Sequence, residues 1–154
     1  MRQFAAIATL SLLFLVVSCS IVYHGFVRNF TSETAIIDVR FLEGTKLTKV
    51  PEKVSFANEV VKFKGGYKKL FKDSLTVSRL DSSHVRLMIP PHTSIDLSDI
   101  TGAFLNAHPL EDCLVTVTVK NRVDTLLNGR YNLNRKLFSF KGGIGTALAY
   151  HDIK

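Results

Sequence analysis

Past Tyr23, the chain alternates apolar and polar side chains with a period of two. Thr34 to Leu42 carries Ile36, Ile37, Val39 and Phe41, and Glu59 to Lys64 sets Val61 and Phe63 against Lys62 and Lys64. Leu75 and Val77 alternate with Thr76 and Ser78; Val85, Leu87 and Ile89 with His84, Arg86 and Met88; Val115, Val117 and Val119 with Thr116 and Thr118. A strand sends successive side chains to opposite faces, so this pattern predicts half-buried strands with one apolar face turned inward. Breaks fall at turn-forming residues: Asn29-Phe30-Thr31-Ser32, Gly65-Gly66, Asp81-Ser82-Ser83, Pro90-Pro91, Asn128-Gly129 and Gly142-Gly143. Asn128-Gly129 predicts a type I′ hairpin, because both residues tolerate positive φ.

Short strands with turn signals at this spacing predict a mainly β chain, a single antiparallel β-sandwich that is immunoglobulin-like only in the loose sense, without the cysteine and tryptophan landmarks of antibody domains. One segment departs from the pattern. Leu97, Ile100 and Phe104 recur at three and four, Ser98 or Asp99 can cap and Pro109 stops, so a short helix is expected within Asp96 to His108. Phe-Lys-Gly-Gly occurs at 63–66 and again at 140–143. The flanks differ, and two turns that need glycine account for it better than a duplication.

The first residues follow another rule. Met1-Arg2-Gln3 is a short positive start, Phe4 to Val17 is apolar, and no charge occurs from Phe4 to Tyr23. This is the order of a secretory signal. Val16-Val17-Ser18-Cys19 resembles the lipobox of bacterial lipoproteins, with a hydrophobic residue three before the cysteine and a small one just before it. The resemblance covers only the signal segment. It implies a signal peptide over 1–18, a diacylglycerol on the Cys19 thiol, further acylation of the new amine, a lipidated tether over 19–23 and an exported β domain over 24–154. An uncleaved signal anchor is the alternative, since the 20 uncharged residues from Phe4 to Tyr23 are long enough to cross a hydrocarbon core of about 30 Å. Both predict a cell-envelope membrane location, with the domain facing the periplasm or exterior.

Charge narrows the partners. Without Arg2, 19 basic residues face 13 acidic ones, and the excess is local: Lys46 to Lys72 holds eight lysines against Glu52 and Glu59. Lys62, Lys64, Lys68, Lys69 and Lys72 form a candidate surface for anionic lipid or a cell-wall polymer, acting through long-range, salt-screened attraction. If Lys62 and Lys64 share a strand face, Gly65-Gly66 can return Lys68 or Lys69 alongside, with Tyr67 and Phe71 interspersed and core burial the expected use of Phe71. A solvated lysine face that discourages edge aggregation explains the same residues. Nucleic acid is not expected, because no arginine and aromatic constellation accompanies the lysines.

No local signature of catalysis is present: no Gly-x-Ser-x-Gly elbow, no Walker loop, no His-Glu-x-x-His. Gly142-Gly143-Ile144-Gly145 lacks the lysine and the long helix of a phosphate site. Of the five histidines the closest two are eight residues apart. His108 to Cys113 offers imidazole, carboxylate and thiol groups, but a strand beginning at Cys113 would send alternate side chains to opposite faces, so no metal is expected. His151-Asp152 reads as a tail. Cys113 reads as a small buried hydrophobe, with a disulfide to Cys19 conceivable only if Cys19 is not acylated. Asn29-Phe30-Thr31 fits a glycosylation sequon and equally a turn.

The residues thus point to a membrane-anchored envelope lipoprotein whose domain binds, adapts or supports, with no enzyme activity and no cofactor. No particular protein partner is indicated. The rivals are a single-pass anchored protein with the same domain, and an envelope hydrolase assembled from distant residues such as His84, His92 or Asp124.

Overall fold

A computed structural model describes residues 22–42, 50–62, 70–101, 113–129, 133–143 and 146–154. The alternating segments become strands of two sheets. A six-stranded sheet has the order β10-β11-β1-β7-β3-β4, built from β1 (Val22–Asn29), β3 (Lys53–Ala57), β4 (Asp73–Thr76), β7 (Ser94–Asp96), β10 (Ser139–Gly143) and β11 (Thr146–Ile153). A five-stranded sheet has the order β5-β6-β2-β8-β9, from β2 (Ala35–Phe41), β5 (Ser78–Arg79), β6 (His84–Ile89), β8 (Cys113–Val119) and β9 (Arg122–Asn128). The mainly β, sandwich-like class expected from the period of two is the class observed. Pairing is antiparallel with one exception among the described strands: β1 runs parallel to β11, from Val22 beside Thr146 to Asn29 beside Ile153.

The core is made by the inward half of each alternation. Ile37 and Val39 on β2, Val85, Leu87 and Ile89 on β6, and Val115 and Val117 on β8 are buried against Val27, Val54, Ile95, Ala149 and Ile153 of the other sheet. A second, smaller cluster places Phe26, Ala57 and Val61 under Leu70, Phe71, Leu148 and Tyr150. Phe71 stacks on Phe26 at 5.2 Å between ring centroids, so the aromatic interspersed among the lysines is spent on packing, as expected.

Three local expectations are corrected, while the expected short helix is present. Glu59 to Lys62 is not a strand: the Ser94 hydroxyl accepts from the Val61 N–H and donates to the Glu59 carbonyl, so a side chain replaces the ladder beyond Ala57. The Leu75 to Ser78 alternation is split, with β4 in one sheet and β5 in the other, and Val77 at the crossing donates its N–H to the Glu52 carbonyl. The short helix expected within Asp96 to His108 is α1 (Ser98–Thr101); Asp96 is the last residue of β7, its carboxylate accepts the Ser98 N–H, and 102–108 lies outside the described residues.

The third correction concerns the turns. Asn128-Gly129 is not a two-residue hairpin: of the pair only Gly129 has positive φ, at 79°, and Leu127 bridges Leu133 rather than residue 130. A two-residue connection forms at Lys120-Asn121, which joins Val119 to its partner Arg122, with Lys120 at φ 52°. Gly142 and Gly143 lie inside β10 and pair with Ala147 and Thr146. The first copy of Phe-Lys-Gly-Gly falls entirely outside the described residues.

Candidate functional site

Of the residues proposed for anionic surfaces, Lys62 and Lys72 are described and both are exposed; Lys64, Lys68 and Lys69 lie outside the described residues, as does Cys19. The sheet registers fix the height of the two. Lys62 follows Val61, whose carbonyl accepts from Arg28 Nη1 at 3.0 Å. Lys72 precedes Asp73, which pairs with Phe56, and through Ile95 this row reaches Val27. Both lysines therefore stand level with the C-terminal end of β1. That end is about 17–20 Å from Val22 at roughly 3.3 Å per residue.

The three residues named for a hydrolase do not converge. His84 on β6 and Asp124 on β9 are separated by β2 and β8, about 14 Å across three strand spacings. His92 is an exposed residue at φ 56° in the turn before β7. Each of the first two belongs to its own ion cluster. On the outer face of the five-stranded sheet, Asp38 Oδ1 accepts from His84 Nε2 and from Arg86 Nε, both at 2.8 Å, while Oδ2 accepts from Arg86 Nη2 at 3.0 Å. Burial alone would raise the Asp38 carboxyl; the hydrogen bonds from Arg86 and His84 outweigh it and hold the group below its ordinary range. The same bidentate bond raises the Arg86 guanidinium.

Asp124 Oδ1 accepts from Arg122 Nε at 3.1 Å, and its Oδ2 is ion-paired with Arg122 Nη2 at 2.9 Å. Its Oδ2 also lies 3.7 Å from His151 Nε2. His151 is buried on β11, its Nδ1 donates to the Leu137 carbonyl at 2.9 Å, and Nε2 has no hydrogen-bond partner. Expectation placed His151-Asp152 in a tail; they lie instead in a strand flanked on both sides by β10 and β1. A short polar and apolar mixture at a chain end carries no periodic signal of a partner 124 residues away. Asp152 grips Arg28 bidentately at 2.7 and 2.8 Å, and the Arg28 guanidinium stands 4.2 Å over the Tyr150 ring.

The sequon asparagine is a structural hub. Asn29 is fully buried, its amide donates to the carbonyls of Glu33, Ile89 and Pro90, and its Oδ1 accepts from the Thr31 N–H and hydroxyl. Glycosylation of the folded chain at this amide is excluded by those bonds. Cys113 is buried, as expected. Among the described residues no group of three or more His, Cys, Asp or Glu side chains could hold a metal, and no helix is long and apolar enough to cross a membrane.

One concave feature was not foreseen. A groove of about 610 Å³ lies at the outer edge of β9, lined by Thr125, Asn128, Leu133, Asn134, Arg135 and Lys136. It lies at a β-bulge. Val115 pairs with Leu127 but Thr116 pairs with Thr125, so Leu126 is an extra residue in this edge strand. Asn134 takes both: its N–H donates to the Leu126 carbonyl at 2.9 Å and its side-chain amide to the Thr125 carbonyl at 3.3 Å. A register irregularity of this kind leaves no mark in an apolar alternation.

Comparison of the chain with protein-family models, with curated proteins and with solved structures found no match.

Proposed function

We propose that this protein is a cell-envelope lipoprotein, held to the membrane by acyl groups on Cys19, whose β-sandwich acts by binding rather than by catalysis. The carrying observation is the juncture of two segments. The apolar run with its lipobox-like end stops at Cys19, and an inner strand of the six-stranded sheet begins at Val22. Two intervening residues allow no long tether, because an extended chain gains at most about 3.6 Å per residue. The domain therefore sits against the membrane with the Val22 end of β1 lowermost. Lys62 and Lys72 are then carried away from the lipid by more than a Debye length of about 8 Å, which favours an anionic cell-wall polymer over the anchoring leaflet as what they meet.

Cys19→Ala tests the anchor. The expected outcome is loss of lipid mass, with the precursor retained or the product released from the membrane. An unchanged membrane-bound fraction of unchanged intact mass would instead establish the single-pass anchor, in which the same apolar segment remains as a spanning helix. That second reading is favoured by the length of the uncharged run from Phe4 to Tyr23, and it puts β1 in the same orientation.

A further inference from the structure

The bulge groove on β9 carries chemistry that nothing in the fold uses. Arg135 and Lys136 are exposed and make no ion pair among the described residues. Asn128 is exposed at the strand end, and Asn134 spends its amide N–H on Thr125 while its oxygen makes no hydrogen bond among the described residues. Leu133 supplies a half-buried apolar patch between them. The described lining has two cations and no acid; the nearest carboxylate in sequence, Asp124, is neutralised by Arg122.

The wall that carries the cations is held at both ends. Asn134 fastens it to the carbonyls of Thr125 and Leu126, Arg135 to Leu137 form a single 3-10 turn, and His151 Nδ1 donates to the Leu137 carbonyl at the far end. Phe138 beyond the turn is buried in the main core. A segment pinned in this way loses little freedom when a ligand arrives, which is the condition for a preformed site. The volume lies within the ordinary range of ligand clefts, roughly 300–1,000 Å³.

We propose that this groove is a saccharide subsite for an anionic glycan. Sugar hydroxyls both donate and accept, which matches the amides of Asn128 and Asn134 and the Thr125 hydroxyl. A carboxylate or sulfate on the ring is answered by Arg135 in a fork and by Lys136 as a point charge, and the C–H face of a sugar covers Leu133. The inference deepens the reading of an envelope-binding domain by naming a ligand class and its site. The long polymer expected to meet Lys62 and Lys72 can continue into the groove, but a short oligomer reports on the groove alone.

The test is calorimetric titration of the full chain, in zwitterionic nanodiscs, with trigalacturonate and with uncharged maltotriose at two salt concentrations. Trigalacturonate is expected to bind, to weaken with salt and to bind about tenfold more weakly to the R135Q/K136Q double variant. N128A is expected to weaken it about threefold, while K62Q/K72Q leaves it unchanged. All these positions are exposed, so unchanged thermal unfolding of each variant checks that the fold is intact. Absence of binding, equal affinity for maltotriose, or indifference to R135Q/K136Q would overturn the saccharide subsite. Membrane attachment is read separately by the Cys19→Ala experiment, so failure of one proposal is distinguishable from failure of the other.

Discussion

At the scale of single residues, the interactions with most at stake are polar groups half hidden at the sheet faces. Asp38 is the clearest, since one carboxylate satisfies a guanidinium and an imidazole across the β2 and β6 ladder. Asp38→Asn keeps the shape but removes the charge that Arg86 needs, and is expected to cost about 2 kcal/mol at pH 7. Linkage gives the sign. The folded group sits below its ordinary 3.8, so its contribution is complete above that value and is lost as pH falls through the lower, folded value. Denaturant midpoints of the two proteins should differ at pH 7 and converge on acidification toward pH 2. A gap that persists unchanged there would mean the carboxylate is not the source.

At the scale of elements, β11 holds the six-stranded sheet together. It lies between β10 and β1, pairs with β1 through eight residues, and buries Ala149, His151 and Ile153. Strand β1 in turn pairs with β7, and through it with β3. Truncation after Gly143 removes β11, exposes one full ladder of β1 and opens the core on that side. The expected result is a chain without dispersed amide resonances or a cooperative melt, whereas removal of the exposed Lys154 alone leaves both intact. A truncated chain that still melts cooperatively would show that the parallel pair is dispensable.

At the scale of the whole molecule, the chain seals both flanks of the sandwich by changing sheets. On one side β4 passes into β5 at Val77; on the other, the segment after β9 leads through the 3-10 turn into β10. Edges covered by their own chain are poor templates for pairing with a second molecule. With the proposed anchor at Cys19, the same topology sets the orientation at the membrane. Lys141 pairs with Leu148, which lies beside His24, two residues above Val22, whereas Lys72 stands at the other end of the sheet. A fluorophore placed by Lys141→Cys on the anchored protein is therefore expected to be quenched by spin-labelled lipid headgroups, and one placed by Lys72→Cys is not. Equal quenching at both positions would contradict an anchor at the Val22 end.

What could be read from the sequence alone was whatever depends on near neighbours. Period-two alternation from Ala35 to Phe41, from His84 to Ile89 and from Cys113 to Val119 is a property of adjacent residues, and those strands form with the expected faces inward. It was enough to define the class of fold and most of its core, because burying one face of each strand is what the hydrophobic effect requires of such a pattern. What only the tertiary structure decided is which partner completes each group. The pairing of β1 with β11, the grip of Asp152 on Arg28 and the burial of His151 join residues more than a hundred positions apart or hidden at a chain end that shows no period. The bulge at Leu126 is a mismatch between two strands, so neither strand announces it by itself. The candidate groove lies beside it, where Asn134 donates to the Leu126 and Thr125 carbonyls of this edge strand.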